Sequence, residues 1–351
     1  MSTDLEKLKG ANSLKDLAII LGYKPKALSY ILYKIPSGSK YTQFTIPKKS
    51  GGDRPIKAPI DQLKKIQKRL AKILNNCFEE ICFISKPKRS ISHGFRKNHS
   101  ILTNAINHRN KRHVFNLDLQ DFFPSINFGR VRGFLIKNAH FELDPKVATL
   151  ISQIACHDNE LPQGSPCSPV ISNLIGHLLD MRLVSLAKRE NCTYSRYADD
   201  LTFSTNQKDF PQKIAVRKEP DAAEWVVGKA LKKEIVSVGF IINESKTSMQ
   251  HKTKRQMATG IVVNEKINVR KEYYKQARSM CHALFQSDTF FIGNKSLPEP
   301  SIETSAKPDV PLSADTIEPP KESTPTAKKE PATLKQLEGI LSYIYHVKST
   351  P

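Results

Sequence analysis

YSRYADDLTFS, residues 194–204, reads as a β-hairpin with Asp199 and Asp200 side by side at its centre. Neighbouring carboxylates in a forming hairpin repel each other and cost stability unless cations neutralise them. A divalent ion supplies that neutralisation. Hard ions such as Mg²⁺ take oxygen ligands, keep several waters and are held by one or two carboxylates together with substrate phosphates. A further ligand is expected from elsewhere in the chain. Asp118 is the candidate, because it stands inside the apolar run VFNLDL (114–119), where a charge without a partner is costly. Two ions about 3.5–4 Å apart on such carboxylates support phosphoryl transfer to a hydroxyl nucleophile. Taken alone, an aspartate doublet is more often a solvated turn, so its surroundings carry the weight.

Those surroundings mix strands and helices. VFNLDLQDFF (114–123) reads as a strand, followed by helices near 128–138 and 145–156. LPQGSPCSPVISNLIGHLLDMRLVSLAKRE (161–190) reads as a loop leading into a long helix. After the hairpin come a helix near 221–237 and two strand or hairpin pieces, GFIINESKTSMQ (239–250) and MATGIVVNEKINV (257–269). This order predicts an α+β domain with a small antiparallel sheet covered by helices. Upstream, residues 13–33 read as two short helices, with Ser13 as N-cap, Asp16 three residues later, Gly22 as a stop and a restart after Pro25. The pair resembles a helix-turn-helix, although two short helices more commonly pack on a neighbouring domain. YTQFTIPKKSGGDRPIKAP (41–59) reads as strand, turn and strand, with Lys48, Lys49 and Arg54 at its tip. Residues 61–82 form an amphipathic helix with a Lys and Arg face.

The 351 residues are 39% hydrophobic, enough for one large core or two to three smaller ones. Against 34 acidic residues stand 55 Lys and Arg, a formal charge of +21 that points to a polyanion such as nucleic acid. Residues 1–115 hold 24 basic and 7 acidic residues, an excess of 17, so a phosphate-binding face is expected there. Six scattered cysteines show no zinc-ligand spacing and predict reduced thiols in a cytoplasmic protein. The N-terminus has no signal-peptide pattern, and no stretch approaches the roughly 18–20 apolar residues of a membrane span, so a soluble protein without a membrane partner is expected. Residues 288–333, rich in Pro, Ser, Thr and Glu, predict a disordered insert before a last amphipathic helix, LKQLEGILSYIYHV (334–347).

LDLQDFF (117–123), LPQGSPCSP (161–169) and YADD (197–200), in that order and with Asp199 81 positions after Asp118, resemble motifs A, B and C of reverse transcriptases. GFIINESKT (239–247) resembles motif D, and the basic hairpin around Arg54 resembles the fingers. NAINH (104–108) is similar to the N-A-x-x-H element of retron reverse transcriptases. ATG (258–260) stands where that family has V-T-G, with Ala258 as the departure. The resemblance runs from about residue 40 to 285 and again over 334–346.

The resemblance implies a right-hand polymerase fold. Its parts would be an N-terminal helical segment (1–35), basic fingers (36–115), a catalytic palm (116–265), the start of a thumb (266–287), the Pro-rich insert (288–333) and a thumb helix (334–351). The chain stops soon after that helix, earlier than a full thumb or an appended effector domain requires. Asp118, Asp199 and Asp200 would hold two Mg²⁺ ions, joined by the Leu119 carbonyl, and Lys246 would protonate the leaving pyrophosphate. Arg54, Lys48 and Lys49 would meet the deoxynucleoside triphosphate, because guanidinium forks match phosphate oxygens. Phe123 would exclude a ribose 2′-hydroxyl, unless it is a core aromatic beside Phe122, and Gln163 and Gly164 would lie against the nucleotide and template. Tyr197, Asn104, His108, Thr259 and Gly260 would contact primer or RNA; for His108 the plain alternative is an ordinary helix histidine.

For a retron enzyme the resemblance implies copying of a structured non-coding RNA from a guanosine 2′-hydroxyl. The product is branched multicopy single-stranded DNA, made for antiphage defence with an effector protein or domain. A group II intron-like or diversity-generating reverse transcriptase, and a catalytically silent RNA-binding module, are the other readings.

Overall fold

The computed structural model describes residues 2–48, 51–85, 91–219, 224–292 and 333–349. Lys49, and residues 293–332 of the expected Pro-rich insert, lie outside them. The chain divides into two compact units, Met1–Asn268 and Val269–Ser349.

In the first unit three short helices, α1 (Asp4–Gly10), α2 (Leu14–Ile20) and α3 (Pro25–Ser29), precede a β-hairpin, β1 (Tyr41–Pro47) and β2 (Asp53–Pro59). Ser13 caps α2 through Asp16 N–H, and Gly22 turns the chain with φ +68°, as the sequence predicts. The α2–α3 pair is a packing element: Leu17, Ala18, Leu21 and Leu28 are buried, and Arg69 of α4 (Asp61–Ser85) donates to the carbonyls of Leu21 and Gly22. Apolar residues at helical spacing, among them Leu63, Ile66, Leu70, Ile73, Leu74 and Cys77, bury one side of α4 and leave Lys64, Lys65, Lys68 and Lys72 exposed.

After α5 (Ile101–Ile106) come β3 (His113–Gln120), α6 (Phe128–Lys137), α7 (Pro145–Ala155), α8 (Ser168–Arg189), β4 (Thr193–Tyr197) and β5 (Asp200–Thr205). Then follow β6 (Ala215–Arg217), β7 (Trp225–Val227), α9 (Lys229–Ser237), β8 (Ile241–His251), β9 (Met257–Ala258) and β10 (Ile261–Val262). The main sheet is antiparallel in the order β4-β5-β3-β8, which places β3 at its centre. Helix and sheet share one continuous core from Leu5 to Ile242. The fold is α+β with a small sheet, as expected.

Two expectations are corrected. The helix expected near 221–237 begins only at Lys229, and Trp225–Val227 pairs instead with Ala215–Arg217. Aromatic and β-branched residues favour that strand, and Gly228, whose missing side chain lets it press on the Gln212 and Lys213 carbonyls, marks the change of course. Also, α8 is long and apolar enough by composition to cross a membrane, contrary to the reading of its sequence; 67% of its most apolar window is buried inside the protein, the pattern of a core helix.

The second unit contains α10 (Lys271–Ser287) and α11 (Leu334–Lys348). Met280, Phe290 and Leu337 form its core, and Tyr273 meets Tyr343 edge to face at 5.7 Å.

Candidate active site

The β4–β5 hairpin turns in two residues. Tyr197 pairs with Asp200, leaving Ala198 and Asp199 at the bend. One strand further in, Asp118 pairs directly with Asp200, so the carboxylate singled out inside an apolar run faces the doublet across the sheet. The Asp199 carbonyl accepts from the Leu119 N–H at 3.0 Å, tying the turn to β3. An irregularity in β8 completes the arrangement. Asn116 pairs with Ser248 and Asp118 with Asn243, so β8 spends five residues where β3 spends two. Such bulges re-aim side chains beside functional sites. Here the bulge returns Lys246, whose ammonium lies 3.2 Å from both Asp118 carboxylate oxygens, while Asn243 donates to Oδ1 at 3.2 Å.

The electrostatics report a concentration of negative charge. Burial, then repulsion from Asp118, raises the Asp199 carboxyl above its ordinary range, offset in part by Lys246 and Arg54. Burial, then repulsion from Asp199 and Asp118, pushes Asp200 up to about 7. Asp200 is exposed at the rim, so crowding by protein rather than full enclosure sets the burial contribution. Among the described residues no three His, Cys, Asp or Glu side chains form a ready coordination shell. The set nevertheless fits hard divalent ions: all-oxygen donors, two carboxyls held against their preference to ionise, and an ammonium already resting on the third. Mg²⁺ needs few protein ligands when substrate phosphates and water supply the rest.

Around the carboxylates, the two phenylalanines of LDLQDFF part ways. Phe122 is 3% exposed and stacks on Phe240 at 5.5 Å, which makes it the core aromatic. Phe123 is half-buried, 6.0 Å from Phe95. The LPQG loop is seated on β2: Lys57 N–H donates to the Gln163 carbonyl at 2.8 Å. Gly164, at φ +122°, lies so close that a Cβ would stand 2.6 Å from the Lys57 carbonyl. The Gln163 side-chain oxygen is buried with no protein hydrogen-bond partner. Arg54 and Lys48 are exposed at the end of the hairpin, where Gly51 and Gly52 turn with positive φ.

The expected RNA contact of Asn104 and His108 is corrected. Both are fully buried beneath the hairpin. Ser204 Oγ and Ser195 Oγ each lie 2.7 Å from the His108 ring nitrogens, and Ser195 donates onward to Asn104 Oδ1 at 2.7 Å. Ser195 therefore accepts from His108 Nε2–H, and Nδ1 accepts from Ser204, the pattern of a neutral imidazole. Burial, then the charges of His93 and Lys111, lowers the His108 pKa to about 3. Asn104 also reaches Thr259 Oγ1 at 3.5 Å, and Thr259 donates to the Ile101 carbonyl, so the N-A-x-x-H and A-T-G elements meet each other. Gly260 is exposed at the adjoining turn, and Tyr197 is half-buried beside the aspartates.

Sequence reasoning missed what lies behind the doublet. Arg196 and Asp180 form a fully buried ion pair at 2.7 Å. The signal was available: Asp180 interrupts the apolar run LIGHLLDMRL as Asp118 interrupts its own.

Comparison with known proteins follows the same residues. The family described as reverse transcriptase (RNA-dependent DNA polymerase) matches residues 46–278. The chain is 34% identical over 270 residues to the retron Mx162 reverse transcriptase of Myxococcus xanthus, covering 72% of this chain and 53% of that protein. It is 33% identical over 292 residues to the retron Mx65 reverse transcriptase of the same organism, covering 78% and 63%. With the retron Ec86 reverse transcriptase of Escherichia coli it shares 31% identity over 277 residues, covering 78% of each. The chain thus spans little more than half to just under two thirds of the two Myxococcus relatives. Among solved structures, apo telomerase from Candida Tropicalis, truncated from its C-terminal domain, aligns at TM-score 0.44 and 12% identity over 67% of this chain and 56% of that one.

Proposed function

The chain belongs to the retron reverse transcriptases, with the right-hand polymerase fold of that family, and on this premise we propose that it is an RNA-directed DNA polymerase that copies a structured non-coding RNA into branched multicopy single-stranded DNA. The observation that carries the reading is the pairing of Asp118 with Asp200 across β3 and β5, with Asp199 in the adjoining turn. Asp118, Asp199, Asp200 and the Leu119 carbonyl would hold two Mg²⁺ ions, which when bound would supply charge neutralisation for the attacking hydroxyl and the departing pyrophosphate.

The chain's own residues do the rest. Arg54, Lys48 and Lys49, the last adjacent to Lys48 in sequence, bind the triphosphate of a deoxynucleotide. Gln163 brings an unpartnered acceptor to the nucleotide and template, and Gly164 keeps its loop seated on β2. Phe123, half-buried at the edge of the core that Phe122 fills, excludes a 2′-hydroxyl. A hydroxyl of the primer gives up its proton to solvent and attacks the α-phosphorus; the new P–O bond forms as the bond to pyrophosphate breaks, and Lys246 donates the proton that pyrophosphate takes up. Tyr197 supports the primer end.

The first primer is the 2′-hydroxyl of a guanosine in the cognate RNA, gripped mainly through phosphates by the basic first third of the chain. The protein acts in the cytoplasm, in antiphage defence, with an effector protein. Co-expression with the genomic sequence upstream of the gene tests this. An RNase-resistant single-stranded DNA joined to RNA is expected from the native chain and not from Asp199→Asn/Asp200→Asn; DNA from both, or from neither, overturns it.

A further inference from the structure

Ala198 occupies the first position of the two-residue turn with φ +56°, a conformation that L-residues rarely adopt and for which hairpins ordinarily use glycine. Its surroundings hold it there. Arg196 Nη1 donates to the Ala198 carbonyl at 3.1 Å. The Leu119 N–H holds the next carbonyl, that of Asp199, at 3.0 Å. From below, Gly94 presses so closely that a Cβ would stand 2.6 Å from the Ala198 nitrogen.

Arg196 is itself clamped. Nε donates to Asp180 Oδ1 at 2.8 Å and Nη2 to Oδ2 at 2.7 Å, a two-pronged fork between strand β4 and helix α8. The Tyr194 hydroxyl donates to the same Oδ1 at 2.9 Å. Room for the guanidinium comes from Gly176 in the middle of α8, where a Cβ would lie 2.8 Å from Arg196 Cζ. A glycine in a helix interior weakens the helix, so the position is held for the guanidinium rather than for helix stability. A buried ion pair is weak support for stability, since apolar residues of similar volume often replace one without loss. What an apolar pair cannot do is donate to the Ala198 carbonyl, and a lysine lacks the planar fork that reaches Asp180 and Ala198 together.

We propose that Arg196, held by Asp180, is a positioning residue that sets the backbone of the Ala198–Asp199 turn and through it the aim of the Asp199 and Asp200 carboxylates. The inference rests on reading those aspartates as a cation site.

The test uses the full chain, with Mn²⁺ as the probe and binding followed by the electron paramagnetic resonance of free Mn²⁺. Primer extension at rising Mn²⁺ and thermal unfolding are measured alongside. Replacing the pair by Arg196→Met/Asp180→Leu leaves no unpartnered charge. It leaves the buried Tyr194 hydroxyl without its acceptor and should melt somewhat below the native temperature, yet raise the Mn²⁺ dissociation constant about 10–100-fold, with extension partly regained at high Mn²⁺. Gly176→Ala presses on the guanidinium while favouring the helix, and should shift Mn²⁺ binding in the same direction by less. It decides the matter if the double variant does not fold. Native Mn²⁺ affinity in a folded double variant, or in Gly176→Ala when the double variant does not fold, overturns the proposal. Asp199→Asn/Asp200→Asn is the control: if it binds Mn²⁺ as the native chain does, the cation-site reading itself falls and takes the proposal with it.

Discussion

The ammonium of Lys246 lies 3.2 Å from both carboxylate oxygens of Asp118, reached through a bulge in β8. Lys246 is 56% exposed and Asp118 is nearly buried, so the pair sits at the mouth of the site rather than inside it. The lysine occupies ground that a divalent ion on Asp118 would contest. Lys246→Gln should therefore bind Mn²⁺ several-fold more tightly in the free protein, while the turnover of primer extension falls about 10²-fold through loss of the proton donor. Looser Mn²⁺ binding, or unchanged turnover, would rule out this double role.

Phe122 and Phe123 are adjacent and should respond differently. Phe122→Ala empties a packed position against Phe240 and should cost about 3–5 kcal/mol in urea unfolding. Phe123→Ala, at a half-buried ring, should cost less, about 1–2 kcal/mol, and relax discrimination against ribonucleotides about 10-fold or more, read as the ratio of kcat/KM values for deoxy- and ribonucleoside triphosphates.

Arg54 and Gly164 separate binding from scaffolding. Arg54→Ala, at an exposed position, should raise the KM for nucleotide about 10-fold with no change in melting temperature. Gly164→Ala adds a Cβ against the Lys57 carbonyl at a φ of +122°, and should cost about 1–3 kcal/mol of stability as well as raising KM. A stable Gly164→Ala protein with native KM would show that the loop does not depend on its seat on β2.

His108 gives a pH dependence of definite sign. Its pKa is about 3 in the folded protein against roughly 6.5 unfolded, so between those values the unfolded chain binds the extra proton. Its contribution is fully present above pH 6.5 and is lost as pH falls, by about 2 kcal/mol at pH 5. His108→Leu, which leaves Ser204 without its partner, should cost about 1–3 kcal/mol at pH 7.5 and much less at pH 5, because the variant has no buried imidazole to protonate. Urea unfolding at the two pH values measures the gap; a gap of constant size would contradict a neutral, buried His108.

Much of this molecule follows from local rules. Ser13 and Asp16 mark a helix start, Gly51 and Gly52 a hairpin bend, and apolar spacing in 61–82 a half-buried helix. A lone charge inside an apolar run was enough to pick out Asp118. The same argument, carried to Asp180, would have found the clamp behind the doublet. Trp225–Val227 escaped because three residues are too few for a period, and pairing with Ala215–Arg217 outweighed the helical pattern that follows.

The sequence by itself determined the α+β class, the basic first third, the three aspartates and their family, since each is a matter of residue type, order and spacing along one dimension. Tertiary structure decided which side chains share a space. It sent Asn104 and His108 inward, although short polar residues near a helix end read equally well as a surface, because only the packed hairpin supplies Ser195 and Ser204 as partners. It also buried Phe122 more deeply than Phe123, brought Lys246 back to Asp118 across a bulge, and joined Arg196 to Asp180. Those contacts span up to 128 residues of chain, and their geometry is fixed by strand register and helix packing, which no local pattern encodes.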